Sequence, residues 1–393
     1  MLFSSQELLW LLLPVAAASG WFMARREGKR KPTGLQDRFD LPEAYFRGLN
    51  FLLNEQPDKA IEVFIKVLEV NSETAETHLA LGNLFRRRGE VERAIRIHQN
   101  LIARPTLDRE QRSLALLELG QDYLKAGLLD RAENLFSELI ENRMYSQQAL
   151  RWLLHIYQQE KEWEKAIDIS RRLARVTKTP MDDVIAQYYC ELAEARFTAG
   201  NDTDARTYLR KAFASDSKCV RASILLGDLE ASEHRDPEAI KAWKRIEEQD
   251  PLFLGEVATR IANAYRRLGD ETGLYEYFDA ALARQQGSGL MLVLADIIKD
   301  RDGIDAAEKF VANWLRQNPS VHGLTRLIEL NMLQSEGAAR DDLVMLKGII
   351  EHLGEQRQGY ACQHCGFRGN SLYWLCPGCS HWNTVKPIAE QVE

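Results

Sequence analysis

The sequence is poor in cysteine and in catalytic motifs, and its net charge is negative. Only six of its 393 residues are cysteine, and four of these lie among the last 32 residues. Cysteines so few and so unevenly placed exclude a disulfide scaffold, which needs bridges throughout a small chain. The formal net charge is −7, so the chain lacks the cationic face that general nucleic-acid binding requires.

Recognisable catalytic signatures are absent as well. The sequence contains no G-x-S-x-G, no phosphate-cradling G-x-x-x-x-G-K-[ST], no H-E-x-x-H and no dinucleotide glycine fingerprint. Its many carboxylates fall in helical patterns, where a solvated face is their usual role. We therefore expect a binding protein and not an enzyme.

Long apolar runs are also scarce, and the notable one lies near the N-terminus. Leu8–Ala24 has no charged residue over 17 positions, which is close to the lower limit for a membrane-spanning helix. Basic residues cluster at once afterwards, within 25–31, and positive charge keeps that end of a span in the cytoplasm. We predict a transmembrane anchor over 1–24, a basic juxtamembrane linker over 25–40, and a cytoplasmic body.

A cleaved signal peptide is the alternative reading of this segment, with Ala16–Ala18 as its cleavage region. A signal peptide carries positive charge before its apolar run. Here the charge before the run is Glu7, which favours the anchor.

The middle of the chain repeats itself. Small residues recur at intervals of 34 to 39 residues, at Ala60, Ala94, Ala132, Ala166, Ala205 and Ala239. Glycines five residues before three of them, Gly89, Gly127 and Gly200, suit the left-handed end of a first helix. Pairs of antiparallel helices with small residues at their crossings produce this pattern, which resembles the tetratricopeptide repeat.

We therefore predict an all-α tetratricopeptide-repeat superhelical solenoid, with about eight repeats over 41–320 and capping helices over 321–357. A solenoid of this kind leaves a concave surface that can bind a peptide or a partner helix. Polar residues predicted on the first helices are candidates for this partner groove: Asn83, Arg86, Arg87, Gln121 and Lys125. The alternative is that these residues form an ordinary solvated face.

The C-terminal segment 358–393, here called the knuckle, carries the clearest chemical motif. Cys362, Cys365, Cys376 and Cys379 form C-x2-C-x10-C-x2-C, a spacing that aims four thiolates at one ion. Tetrahedral sulfur coordination suits zinc or a single iron, and the spacing does not choose between them. His364 and His381 are expected to be bystanders, because four thiolates already complete the coordination. A thioredoxin-type redox dithiol would need only one such pair, within an αβ unit.

The knuckle resembles rubredoxin and zinc-ribbon domains, except that Ser380 stands where a glycine is usual. So small a domain cannot build a sufficient core, so metal binding should supply its folding free energy. Its aromatic residues Tyr373, Trp374 and Trp382 are too many for that core, and we predict that some dock against the repeats. Cys190 and Cys219 are expected to be small core residues of the repeats.

The order of these parts resembles the lipopolysaccharide assembly protein B family of Gram-negative bacteria. The similarity runs end to end and includes LLLPVAAASGW, LGNLFRRRGEVERAIRIHQ and YACQHCGF…LYWLCPGCSHW. It implies an inner-membrane adaptor that promotes turnover of the LpxC deacetylase by the membrane-anchored AAA+ protease FtsH. By the family's pattern, the four knuckle cysteines are the metal ligands.

Two other functions stay open at this point. One is a membrane-bound scaffold that gathers envelope-synthesis enzymes without delivering any of them to proteolysis. The other is a rubredoxin-type electron carrier or redox sensor. A change in the lifetime of the deacetylase separates the first from the adaptor, and the colour of the protein tests the second.

Overall fold

A computed structural model describes residues 75–285, 287–355 and 359–388, with a few isolated positions before residue 75. Almost all of the expected anchor, the basic linker and most of the first repeat lie outside these residues. Among the residues described, no helix is both long enough and apolar enough to cross a membrane. The chain divides into two compact units, Met1–Asp122 and Tyr123–Glu393.

The first unit begins, in its described part, with an antiparallel pair of helices, α1 (Ala75–Arg87) and α2 (Val91–Ile102). Gly89 joins them at φ +83°, a left-handed conformation that glycine adopts without steric cost. A third helix, α3 (Arg109–Lys125), runs across the boundary between the units.

The second unit continues the same arrangement of paired helices. Its helices are α4 (Leu129–Glu141), α5 (Ser146–Gln159), α6 (Trp163–Thr177), α7 (Asp182–Thr198), α8 (Asp202–Ser215), α9 (Val220–Ser232), α10 (Asp236–Lys244), α11 (Ile246–Gln249), α12 (Leu254–Leu268), α13 (Glu271–Arg284), α14 (Ser288–Asp302), α15 (Ile304–Gln317), α16 (Val321–Gln334) and α17 (Ala338–Glu355). We call α4–α17 the repeat stack. A 3-10 turn, Pro251–Phe253, separates α11 from α12.

Small residues at the helix crossings explain why the pairs close. The repeat alanines within the described part are almost completely buried: Ala94, Ala132, Ala166, Ala205 and Ala239. In one pair, a Cβ placed on Gly227 would lie 2.2 Å from Trp243 Nε1. The indole therefore occupies the space that a larger side chain on the facing helix would need.

The pair formed by α1 and α2 closes in the same way. Gly82 faces a large ring, His98, whose Nε2 would lie 2.3 Å from an added Cβ. Leu154 and Ser170, at the same register of a later repeat, are both buried.

The knuckle is a three-stranded antiparallel sheet in the order β2-β1-β3. Its strands are β1 (Tyr360–Cys362), β2 (Arg368–Gly369) and β3 (Val385–Pro387). The fold prediction of tetratricopeptide helices followed by a small four-cysteine domain is confirmed for the described part of the chain. Within it, Gly127 and Gly200 take the predicted left-handed conformation.

Candidate metal centre

Two tight turns present the four cysteines. In the first turn, Gly366 N–H donates to Cys362 O at 3.0 Å, and Gly366 has φ +76°. In the second turn, Ser380 N–H donates to Cys376 O at 2.8 Å, and Ser380 has φ +55°. Each C-x-x-C is therefore followed directly by a left-handed residue, and Ser380 adopts the conformation for which a glycine is usual.

These turns bring the four sulfurs together. All four Sγ atoms lie within 4.8 Å of one another. The Cys362–Cys379 and Cys365–Cys376 sulfur pairs are each 3.7 Å apart. Zinc–sulfur bonds of about 2.3 Å give tetrahedron edges of about 3.8 Å, so the cage has the size of a tetrathiolate ion site.

The acid–base properties of the thiols also fit a cation. Burial opposes ionisation of Cys362, but hydrogen bonds with Thr384 Oγ1 and from the backbone N–H groups of Cys365 and His364 lower its pKa to about 5. Burial and the neighbouring thiols raise the pKa of Cys379 to about 12. Four thiols so close do not all ionise unless a positive ion compensates their charge. Four sulfur ligands leave no open coordination position, which is the arrangement of a structural site.

The described part of the knuckle has a small apolar core besides the docked Trp382. Its buried cluster consists of Cys362, Cys376 and Val385, with Tyr360 and Phe367 packed against it. Two of these three buried members are candidate metal ligands. We therefore expect the folded state of the knuckle to depend on what the sulfurs bind.

One aromatic side chain of the knuckle enters the repeat stack near α6 and α7. Trp382 is 8% exposed and makes edge contacts with Trp163 and Tyr188, at centroid distances of 6.0 and 5.6 Å. Trp163 and Tyr188 stack on each other at 5.6 Å. Trp382 thus completes a three-ring cluster, an arrangement that stabilises beyond the area it buries.

A second aromatic side chain, Trp374, packs farther along the stack. Its ring lies parallel to that of Phe253 in the 3-10 turn, at 5.6 Å and 15°. The guanidinium of Arg221 lies 5.8 Å from the Trp374 ring centroid. The predicted docking is confirmed for Trp374 and Trp382, whereas Tyr373 is exposed and packs on Phe367 within the knuckle.

Polar contacts fix the orientation of the docked knuckle. Tyr360 Oη donates to Glu256 Oε1 at 2.8 Å. Lys386 Nζ forms an ion pair with Asp250 Oδ2 at 2.5 Å. Both partners on the stack lie beside the turn that carries Phe253, so apolar and polar contacts meet at one place.

The candidate groove residues differ in their surroundings. Asn83 and Gln121 are half-buried, while Arg87 and Lys125 are exposed. Arg86 is half-buried and already paired within its own unit, as described next. The assignment of these five residues to a partner groove stays a prediction.

Arg86 belongs to a buried charge network in the first unit. Its Nη2 donates to Glu118 Oε2 at 2.5 Å, and its Nη1 donates to Asp122 Oδ1 at 2.9 Å. The other oxygen of Asp122 lies 2.5 Å from His98 Nδ1, and both side chains are fully buried. These contacts give Arg86 a structural role, because removing it would leave a buried carboxylate without its cationic partner.

The sequence does not predict which residues of the stack form the docking surface for the knuckle. Trp163 and Tyr188 are indistinguishable by sequence from ordinary core aromatics, and Arg221 from a solvated cation. Pro251 does indicate where the 3-10 turn of this surface forms, because proline interrupts the helical pattern there. Cys190 and Cys219 are both fully buried in the stack, as predicted.

Comparisons with known proteins agree with both parts of this architecture. Residues 360–387 match the family described as a rubredoxin metal binding domain. Residues 77–113, and then 117–179 and 190–252, match tetratricopeptide repeat families.

Two curated relatives extend the similarity to nearly the whole chain. Lipopolysaccharide assembly protein B of Escherichia coli (strain K12) is 40% identical over 384 residues, covering 97% of this chain and 98% of the relative. The protein of that name from Haemophilus influenzae (strain ATCC 51907 / DSM 11121 / KW20 / Rd) is 35% identical over 394 residues, covering 98% of this chain and 99% of the relative. With its helical repeats and four-cysteine knuckle, the chain belongs to the lipopolysaccharide assembly protein B family.

Proposed function

We propose that this chain regulates lipopolysaccharide assembly as an inner-membrane adaptor. It promotes degradation of the LpxC deacetylase by the membrane-anchored protease FtsH, and it does not catalyse a reaction itself. The observation that carries the proposal is the 40% identity to lipopolysaccharide assembly protein B over 97% of the chain. Helical repeats suited to binding other proteins, and a sulfur cage without an open coordination position, support it.

Residues 1–24 are proposed to form a single membrane span, with the N-terminus in the periplasm. An anchor of this kind would hold the repeats in the cytoplasm beside a membrane-bound protease. Tethering two proteins to one surface raises their effective concentration without any new contact. The groove would then need only modest affinity for the deacetylase.

The metal in this proposal has a structural role. Cys362, Cys365, Cys376 and Cys379 would hold one zinc or iron ion, which supplies charge compensation and crosslinks the two turns. The chain's own contribution is to orient the thiolates and to seat the folded knuckle on the stack through Trp374 and Trp382. Elemental analysis of the purified full-length protein identifies the ion, and a colourless zinc protein would eliminate the electron-carrier alternative.

The lifetime of the deacetylase tests the adaptor. In cells that lack the gene, we expect the half-life of the deacetylase to lengthen several-fold after translation is blocked, while its transcript stays constant. A plasmid copy of the wild-type chain should restore the short half-life. A copy with serine at all four knuckle cysteines should restore it poorly.

Gly348→Ala is the matched control for this experiment, since Gly348 is exposed on α17 with no atom within 4 Å of an added Cβ. This variant should restore the short half-life as well as the wild type does. An unchanged half-life in the cells that lack the gene would reject the adaptor and favour the scaffold, which gathers enzymes without delivering them to a protease.

A further inference from the structure

The two histidines of the knuckle lie together just outside the four-sulfur cage. The rings of His364 and His381 stack with centroids 3.8 Å apart and planes 20° from parallel. Together with the Cys379 sulfur, their donor atoms lie within 4.8 Å of one another. Both histidines are exposed and Cys379 is half-buried, so solvent reaches this cluster.

The backbone of the second turn holds His381 in this place. Ser380 is left-handed at φ +55°, which turns the chain back over Cys379. Cys376 N–H then donates to His381 O at 3.0 Å. The histidine is therefore anchored by its own backbone to the turn that carries two of the sulfurs.

A backbone contact engages one nitrogen of the His381 ring. Its Nδ1 lies 2.9 Å from Cys379 O, and a carbonyl oxygen only accepts, so Nδ1 carries the hydrogen in this contact. Nε2 is the ring nitrogen that this contact leaves available for coordination. Metal-binding histidines commonly show this arrangement, in which one ring nitrogen donates to a backbone carbonyl and the other coordinates the ion.

We propose that His364, His381 and Cys379 form a second, solvent-exposed site for a borderline divalent cation such as Zn²⁺, Co²⁺ or Ni²⁺. Two imidazole nitrogens and one thiolate are the donors that such ions prefer, and water completes the coordination. A thiolate keeps lone pairs after it coordinates one ion, so the Cys379 sulfur would be able to hold both the ion of the cage and the second one.

Binding at this site requires one small rearrangement. Two nearly parallel rings cannot aim both Nε2 atoms at one point, so one ring must turn about its Cβ–Cγ bond. Close packing does not oppose the turn, because both side chains are exposed. The proposal is independent of the adaptor function, since it concerns only the knuckle's own donor atoms.

Cobalt titration of the full-length protein with its resident ion in place tests this site. We expect the wild type to bind one further Co²⁺ per chain and to develop a thiolate-to-cobalt charge-transfer band. Elemental analysis of the same samples should find the resident ion retained. The variant with both His364→Gln and His381→Gln should bind that second equivalent at least about 100-fold more weakly, since loss of outer-shell partners alone costs 10–100-fold.

Control variants make each outcome decisive. His155→Gln removes an exposed histidine on α5 and should leave the second equivalent unchanged. The single variant His364→Gln, which keeps the His381 contact, should weaken binding less than the double variant. Retention of one resident ion by each variant shows that its knuckle is folded. Equal Co²⁺ affinity in the wild type and the double variant, no second equivalent in the wild type, or one-for-one replacement of the resident ion would each overturn the proposal.

Discussion

The repeat stack and the knuckle are stabilised in opposite ways. The stack spreads its stability over many helix crossings, where small residues such as Ala166 and Ala205 are buried and, at one crossing, Gly227 faces Trp243. The buried cluster in the described part of the knuckle has three members, and two of them, Cys362 and Cys376, are candidate metal ligands. We therefore expect the loss of one contact to matter little in the stack, and the loss of one ion to matter greatly in the knuckle.

The contact between the two regions is also unequal. The knuckle contributes Trp374 and Trp382 to apolar clusters that the stack builds largely by itself. Among the residues that the structure describes, the four members of the sulfur cage all lie in the knuckle and none in the stack. Loss of the knuckle should therefore expose an apolar surface on the stack. Unfolding of the stack would remove the surface against which the knuckle packs.

The largest expected effect comes from removal of the metal ligands. With serine at all four knuckle cysteines, the protein loses an apparent binding free energy of about 10–16 kcal/mol, far more than the knuckle's core can replace. We expect residues 359–388 to become sensitive to protease, while helical circular dichroism stays nearly constant. Cys190→Ser, a substitution in the stack, should keep one ion per chain. A protease-resistant knuckle without metal would show that the comparison is wrong.

The next largest effect tests the seat of the knuckle. Trp382→Ala removes the ring that contacts Trp163 and Tyr188, and deletion of a buried tryptophan costs about 3–5 kcal/mol. Faster amide hydrogen exchange in the knuckle and along the buried faces of α6 and α7 would report release of the knuckle. Tyr373→Ala, whose ring is exposed, should leave exchange in α6 and α7 as it is. If Trp382→Ala also leaves exchange in α6 and α7 unchanged, contacts other than the Trp382 ring hold the knuckle on the stack.

A smaller effect is expected at one helix crossing of the stack. A Cβ at Gly227 would lie 2.2 Å from Trp243 Nε1, so Gly227→Ala must displace the indole, at a cost of about 1–3 kcal/mol. Urea unfolding measures this loss, and metal content should stay constant. Gly348→Ala, at an open helical position, should instead stabilise by about 0.5–1 kcal/mol. Equal effects of the two substitutions would contradict the packing described for this crossing.

The smallest effect concerns one polar contact. Tyr360→Phe removes the hydrogen bond that Tyr360 Oη donates to Glu256. The free energy of docking should fall by about 1 kcal/mol where water can reach Glu256, and by no more than about 3 kcal/mol where it cannot. Protease protection of the knuckle should fall slightly, with its metal content unchanged. A loss as large as that of Trp382→Ala would mean that polar contacts, and not the aromatic rings, dominate the docking.

The sequence predicts local structure well at positions where only one kind of residue fits. Alanines such as Ala166 recur because helix crossings exclude larger side chains, and Gly89 because the turn needs a left-handed residue. The cysteine spacing likewise fixed the sulfur cage, since four thiols arranged in two turns have few other roles. These patterns are local, so they can be read along the chain.

The docking surface could not be predicted in this way. Trp163 and Tyr188 belong to the core of the stack and also contact the knuckle. No local sequence pattern distinguishes these two roles. Arg86 is a candidate for the groove because it is predicted on the first helix of a repeat. Its pairing with Glu118 and Asp122 depends on a neighbouring helix 32 and 36 residues away, which a single repeat does not reveal.

Hydrogen–deuterium exchange of the full-length protein, before and after removal of its metal by a chelator, tests the central contrast most directly. We predict that exchange rises throughout 359–388 and on the docking faces of α6, α7 and the Pro251–Phe253 turn. Protection in α14 and α15 should stay as it was. Exchange that rises equally in every helix, or that leaves 359–388 as protected as before, would contradict this difference between the stack and the knuckle.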